Sequence, residues 1–102
     1  MKTAEKIHSC GTRLYSYPFR LYVLECAEGE QERIIISVPK KLFKRAVRRN
    51  LIRRRIREAF RHMREDYPSV PGKHIMLVYV ANVVLDYGAI SDGLGSALGK
   101  IP

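Results

Sequence analysis

Apolar and polar positions first alternate between Pro18 and Cys26, where PFRLYVLEC puts Phe19, Leu21 and Val23 on one side of an extended chain. A period of two among β-forming residues predicts a strand covered mainly on one face. The turn-forming AEGE follows. Gln31 to Val38 then carries Ile34, Ile35, Ile36 and Val38, a second strand expected to pair antiparallel with the first through that short connection, and Pro39 ends it.

At Ala46 the period changes. As far as Arg64 there is no glycine or proline, helix formers dominate, and Ile52, Ile56, Ala59, Phe60 and Met63 recur at steps of three or four. This predicts a helix that buries that stripe. EDYPSVPGK breaks the helix, and His74 to Val80 (HIMLVYV) is a continuous apolar run suited to a buried strand. From Tyr87 to Lys100, Ile90, Leu94, Ala97 and Leu98 sit at helical intervals, weakened by Gly88, Gly93, Gly95 and Gly99. The expected fold class is α+β: a two-layer α/β sandwich in which a central mixed sheet of at least three strands packs against the arginine-rich helix, itself in a β-α-β crossover. A length of 102 residues fits one domain over residues 1–102.

Charge sharpens this picture. The chain carries 19 lysines and arginines against 10 acids, a formal net charge of +9. Twelve of those basic residues fall between Lys40 and Arg64 against one acid, Glu58, while the rest of the chain holds seven basic and nine acidic residues. A slightly acidic body with one strongly basic segment reads as a binding surface for a polyanion, in preference to a solvated charged face.

At about 100° per residue, Asn50, Arg53, Arg54, Arg57, Arg61 and Arg64 form a second stripe beside the apolar one, and this stripe is expected to be exposed. Like charges at these spacings repel, which a bound polyanion relieves. Arginine grips phosphate oxygens with two parallel hydrogen bonds and stacks on unpaired bases, so nucleic acid fits better than a membrane. Spacing alone does not separate RNA from DNA.

The string SVPKKLFKRAVRRNLIRRRIREAFR goes further: it resembles the signature of the bacterial ribonuclease P protein family over more than twenty contiguous residues. The resemblance rests on Arg49, Asn50, Arg53, Arg54 and Arg57, with Arg45 and Arg48 just upstream, preceded by a strand ending in Ser-Val and followed by an apolar strand. It implies a left-handed crossover around this helix. It also implies that the helix, through Arg45, Arg48, Arg49, Asn50, Arg53, Arg54, Arg57 and Arg61, binds the ribonuclease P catalytic RNA and helps position precursor tRNA. The RNA, with magnesium, would cut the 5′ leader, making this chain the protein subunit of an endoribonuclease. No cofactor is expected on the chain itself.

Family members are also similar in a cleft that holds the single-stranded leader with aromatic side chains. Tyr22 stands at such a position, and His74 and His8 are further candidates for stacking. The amino end departs from the pattern, since Ala4 and His8 occupy the places of aromatics on the helix before Gly11. A structural RNA-binding protein of the ribosome is the alternative reading, and a DNA-binding regulator a third.

No Ser/His/Asp or Cys/His set is legible, so no catalytic residue is expected on the chain. Glu58 is expected to pair with Arg54, Arg55 or Arg61, and His62 to be a polar helix residue. Cys10 and Cys26 lack CxxC spacing and are read as reduced, with no metal site. There is no signal peptide, and the apolar stretch Ile75 to Leu85 is too short to span a bilayer, so a soluble cytoplasmic protein without a protein partner is expected.

Overall fold

The computed structural model describes residues 11–27, 29–63 and 72–101. The elements run β1 (Thr12–Ser16), β2 (Phe19–Glu25), β3 (Ile34–Ser37), α1 (Ala46–Met63), β4 (Lys73–Tyr79) and α2 (Tyr87–Gly99). The four strands make one mixed sheet in the order β1-β2-β4-β3. β1 and β2 form an antiparallel hairpin, β2 is antiparallel to β4, and β3 is parallel to β4.

The expected antiparallel pairing of β2 with β3 is therefore wrong: β4 lies between them. The long apolar run of β4 belongs where backbone and side chains are covered from both sides, at the centre of the sheet. The segment between Glu25 and Ile34 is too long for a tight hairpin and instead crosses the end of β4. Cys26 N–H donates to the Gly72 carbonyl at 3.0 Å on one side, and Ile75 N–H donates to the Arg33 carbonyl at 2.9 Å on the other. β1 was not anticipated, because only Leu14 in TRLYS is a large apolar residue turned inward.

One face of the sheet supplies the core. Phe19 and Leu21 of β2 and Ile75, Leu77 and Tyr79 of β4 are fully buried with Ile52, Ile56, Ala59 and Phe60 of α1 and Ile90, Leu94 and Ala97 of α2. Met63, expected in the buried stripe, is exposed at the end of the described part of α1. Asp86 caps α2, its carboxylate accepting from Ala89 N–H at 2.8 Å. Gly93 lets α2 approach the β1–β2 turn: a Cβ there would lie 2.3 Å from Pro18 Cδ and 2.9 Å from the Tyr17 carbonyl oxygen. Tyr79 ties the sheet to the segment before α2, its hydroxyl donating to the Val83 carbonyl at 2.7 Å and accepting from Leu85 N–H at 3.1 Å. Burial pushes the Tyr79 hydroxyl above its usual range, opposed in part by the Leu85 hydrogen bond.

Candidate nucleic-acid interface

The basic segment begins in the loop between β3 and α1. Val38 and Phe43 are buried and anchor this loop in the core, which leaves Lys40, Lys41 and Lys44 exposed. Arg45 precedes the first helical residue, and its carbonyl accepts from Arg48 and Arg49 N–H. The first turn of α1 contains no acid. Cations here add to the positive end of the helix dipole at a cost to the free helix, and the same arrangement attracts phosphate. Arg45 and Arg48 line a groove of about 330 Å³ with Leu42, Phe43 and Lys44.

Further along, Val47, Asn50, Leu51, Arg54 and Arg57 line a larger groove of about 560 Å³ on the solvent side of α1. Asn50, Arg54, Arg57 and Arg61 are all exposed. Arg53 is half-buried, with a guanidinium nitrogen 3.2 Å from Asn50 Oδ1. Of the residues expected to bind RNA, the structure thus brings Asn50, Arg54, Arg57 and Arg61 to one open strip and Arg45 and Arg48 to the N-terminal end of the helix. Arg64 lies outside the described residues.

Arg49 does not stand free. It is half-buried, and its guanidinium donates to the Phe43 carbonyl at 2.7 Å and the Lys44 carbonyl at 3.0 Å. Arg53, expected on the exposed stripe, is likewise only half-exposed, and Arg49, expected among the RNA-binding residues, is turned back onto the chain. Counting about 100° per residue places Arg49 inside the sector of Ile52, Ile56 and Phe60, so the signal was present in the spacing. Arg55, left out of the RNA-binding set, has a similar structural tie, donating to the Leu85 carbonyl at 2.6 Å. Glu58 pairs with Arg61 at 3.9 Å, as expected, and also meets His62 Nε2 at 3.2 Å.

The opposite, outer face of the sheet carries the residues between the core-facing ones. Tyr22 pairs with Met76 and Leu24 with His74, so Tyr22 and His74 share this face. Both are covered: Tyr22 is 7% and His74 3% exposed. His74 Nε2 lies 3.6 Å from a Glu30 carboxylate oxygen, and neither ring nitrogen has a hydrogen-bond partner among the described residues. His8, the third candidate for this face, lies outside the described residues, as do Ala4 and Cys10.

Among the described residues no three histidine, cysteine, aspartate or glutamate side chains are grouped to hold a metal ion. The Cys26 thiol is held above its ordinary range by burial first, and then by the carboxylates of Glu32, Glu30 and Glu25. That disfavours the thiolate that a metal or a nucleophilic role requires. No described helix is long and apolar enough to cross a membrane.

The family model for ribonuclease P matches residues 4–101. The chain belongs to the ribonuclease P protein family. Solved structures agree. The ribonuclease P protein of Thermotoga maritima, in a complex with 1-(4-fluorophenyl)-2-thiourea, superposes with a TM-score of 0.80 at 23% identity, covering 99% of this chain and 95% of that one. The Staphylococcus aureus ribonuclease P protein gives 0.77 at 28% identity, over 97% of this chain and 90% of that one. No curated protein matches. As a ribonuclease P protein, the chain is the protein subunit of the complex that matures tRNA 5′ ends, and it works with the ribonuclease P RNA, in which the metal-dependent chemistry resides.

Proposed function

We propose that α1 binds the ribonuclease P RNA through Asn50, Arg54, Arg57 and Arg61, with Arg45 and Arg48 extending the contact at its N-terminal end, and that the outer face of the sheet receives the 5′ leader of precursor tRNA. One observation carries the first half. Arg54 and Arg57, which no backbone carbonyl occupies, line a groove of about 560 Å³ together with Asn50, and the exposed Arg61 follows one turn further along the same side of the helix. Planar guanidinium groups spaced by helical turns can each take a separate phosphate. Arg49 and Arg53 act beside them, Arg49 by fixing the β3–α1 loop that presents Lys40 and Lys41.

The second half rests on Tyr22 and His74 sharing the face of the sheet opposite the one that packs on α1 and α2, with His8 a further candidate. Magnesium, when bound in the RNA, would activate the water that attacks the scissile phosphate. The protein's part is to neutralise phosphates and hold two RNAs together, which lowers the magnesium needed for a productive complex. Reconstitution with a bacterial ribonuclease P RNA at low magnesium tests this. Leader cleavage should rise well above that of RNA alone, and the absence of any stimulation would sink the proposal.

A further inference from the structure

The buried state of Tyr22 raises the question of which aromatic on the outer face is open to a base. Among the described strand residues of that face it is Tyr15, 54% exposed. In the hairpin register Tyr15 lies directly opposite Arg20, and Arg13 directly opposite Tyr22. Leu14 packs against the core and Ser16 is buried, so the alternation turns Arg13 and Tyr15 to the outer face, where Arg20 is also exposed. The four positions form a checkerboard in which each tyrosine has an arginine beside it, and Tyr15 and Tyr22 are diagonal neighbours about 7–8 Å apart.

The charge on this face is graded. At the Tyr15 end, Arg20 reaches a groove of about 260 Å³ shared with Lys41, Leu42 and Val78, which connects the face to the basic loop before α1. None of the outward strand positions, Arg13 and Tyr15 in β1, Arg20, Tyr22 and Leu24 in β2, or Met76 and Val78 in β4, is acidic. At the other end, the Glu30 carboxylate lies beside His74, and Glu25 pairs with Lys73. A phosphate chain is attracted to the first end and repelled from the second.

We propose that Tyr15, bracketed by Arg13 and Arg20, is a stacking site for an unpaired base of the precursor tRNA leader, with the two arginines holding the neighbouring phosphates. The leader then runs across the β1–β2 hairpin past Tyr15 and Arg20, away from His74. This rests on the reading that the outer face receives the leader.

The experiment uses the full chain assembled with a bacterial ribonuclease P RNA. Precursor tRNAs with leaders of about 4 and about 12 nucleotides are compared with mature tRNA. Tyr15→Ala should weaken binding of the long-leader substrate by about tenfold and leave mature tRNA unchanged, while Tyr15→Phe stays near wild type, because stacking needs the ring and not the hydroxyl. The chain has no tryptophan, so Tyr15→Trp adds a single reporter. Its fluorescence should be quenched by the long-leader substrate and not by mature tRNA. If wild type prefers long leaders and Tyr15→Ala keeps that preference, the inference fails and the leader reading stands. If wild type shows no leader preference, both fail. Quenching of Tyr15→Trp by the ribonuclease P RNA alone would assign the hairpin to that RNA and overturn the inference.

Discussion

Arg54 and Arg49 belong to the same motif and carry the same charge, yet their surroundings give them different roles. Arg54 is exposed on the groove strip, so Arg54→Ala should leave thermal stability within about 0.5 kcal/mol of wild type while weakening binding to the ribonuclease P RNA. Arg49 satisfies two backbone carbonyls from a half-buried position, and Arg49→Ala should cost about 1–2 kcal/mol of stability in addition to its loss in binding. Thermal melts beside a filter-binding titration separate the two. Equal melting temperatures for both variants would show that the Arg49 bonds contribute nothing. The motif alone did not make this distinction, because it records residue types at offsets and not which guanidinium is turned back onto the chain. The angular position of Arg49 among Ile52, Ile56 and Phe60 did hold that information. Tyr22 illustrates the reverse limit: its place on an outward strand position was legible, but not its burial, because alternation assigns a face and not what covers it.

At the scale of elements, α1 and β4 were legible because their patterns are long and unmixed, an uninterrupted helical period in one and a continuous apolar run in the other. β1 was not, since an edge strand contacts the core through alternate residues only and in TRLYS most of these are small or polar. The neighbour of β3 was also missed, because apolar content says that a strand is buried but not which strand lies beside it. Four glycines weaken the helical pattern of α2, and the structure gives one of them a reason. Alanine normally stabilises a helix relative to glycine by up to about 1 kcal/mol. At Gly93 the added methyl would sit 2.3 Å from Pro18 Cδ and 2.9 Å from the Tyr17 carbonyl, so α2 would have to move off the hairpin. Gly93→Ala should therefore destabilise by about 1–3 kcal/mol. Gly99→Ala, with nothing within 4 Å of its new Cβ, should be neutral or slightly stabilising. Opposite signs in urea unfolding are the expected result, and a stabilised Gly93→Ala would mean that the turn yields easily.

Across the whole molecule, the basic residues divide the surface into regions that salt should distinguish. The β3–α1 loop and the outward strip of α1 hold most of the positive charge, while the acids Glu25, Glu30 and Glu32 lie at the far end of the sheet around Cys26 and His74. A polyanion approaching this molecule is thus oriented before it makes contact, with its phosphates toward α1 and the Arg20 end of the sheet. If about six phosphates are neutralised in the complex with ribonuclease P RNA, the logarithm of the association constant should fall with the logarithm of salt concentration at a slope of roughly −4 to −5. The slope also tests how the arginines divide. Arg54→Ala and Arg57→Ala should each reduce its magnitude by about 1, because each removes one phosphate contact. Arg55→Ala should leave it nearly unchanged, because that guanidinium is already held by the Leu85 carbonyl. An equal loss of slope in all three would show that the helix acts as undivided charge. A loss confined to Arg54 and Arg57 would mean that the fold selects which arginines of a uniformly basic helix the RNA can reach.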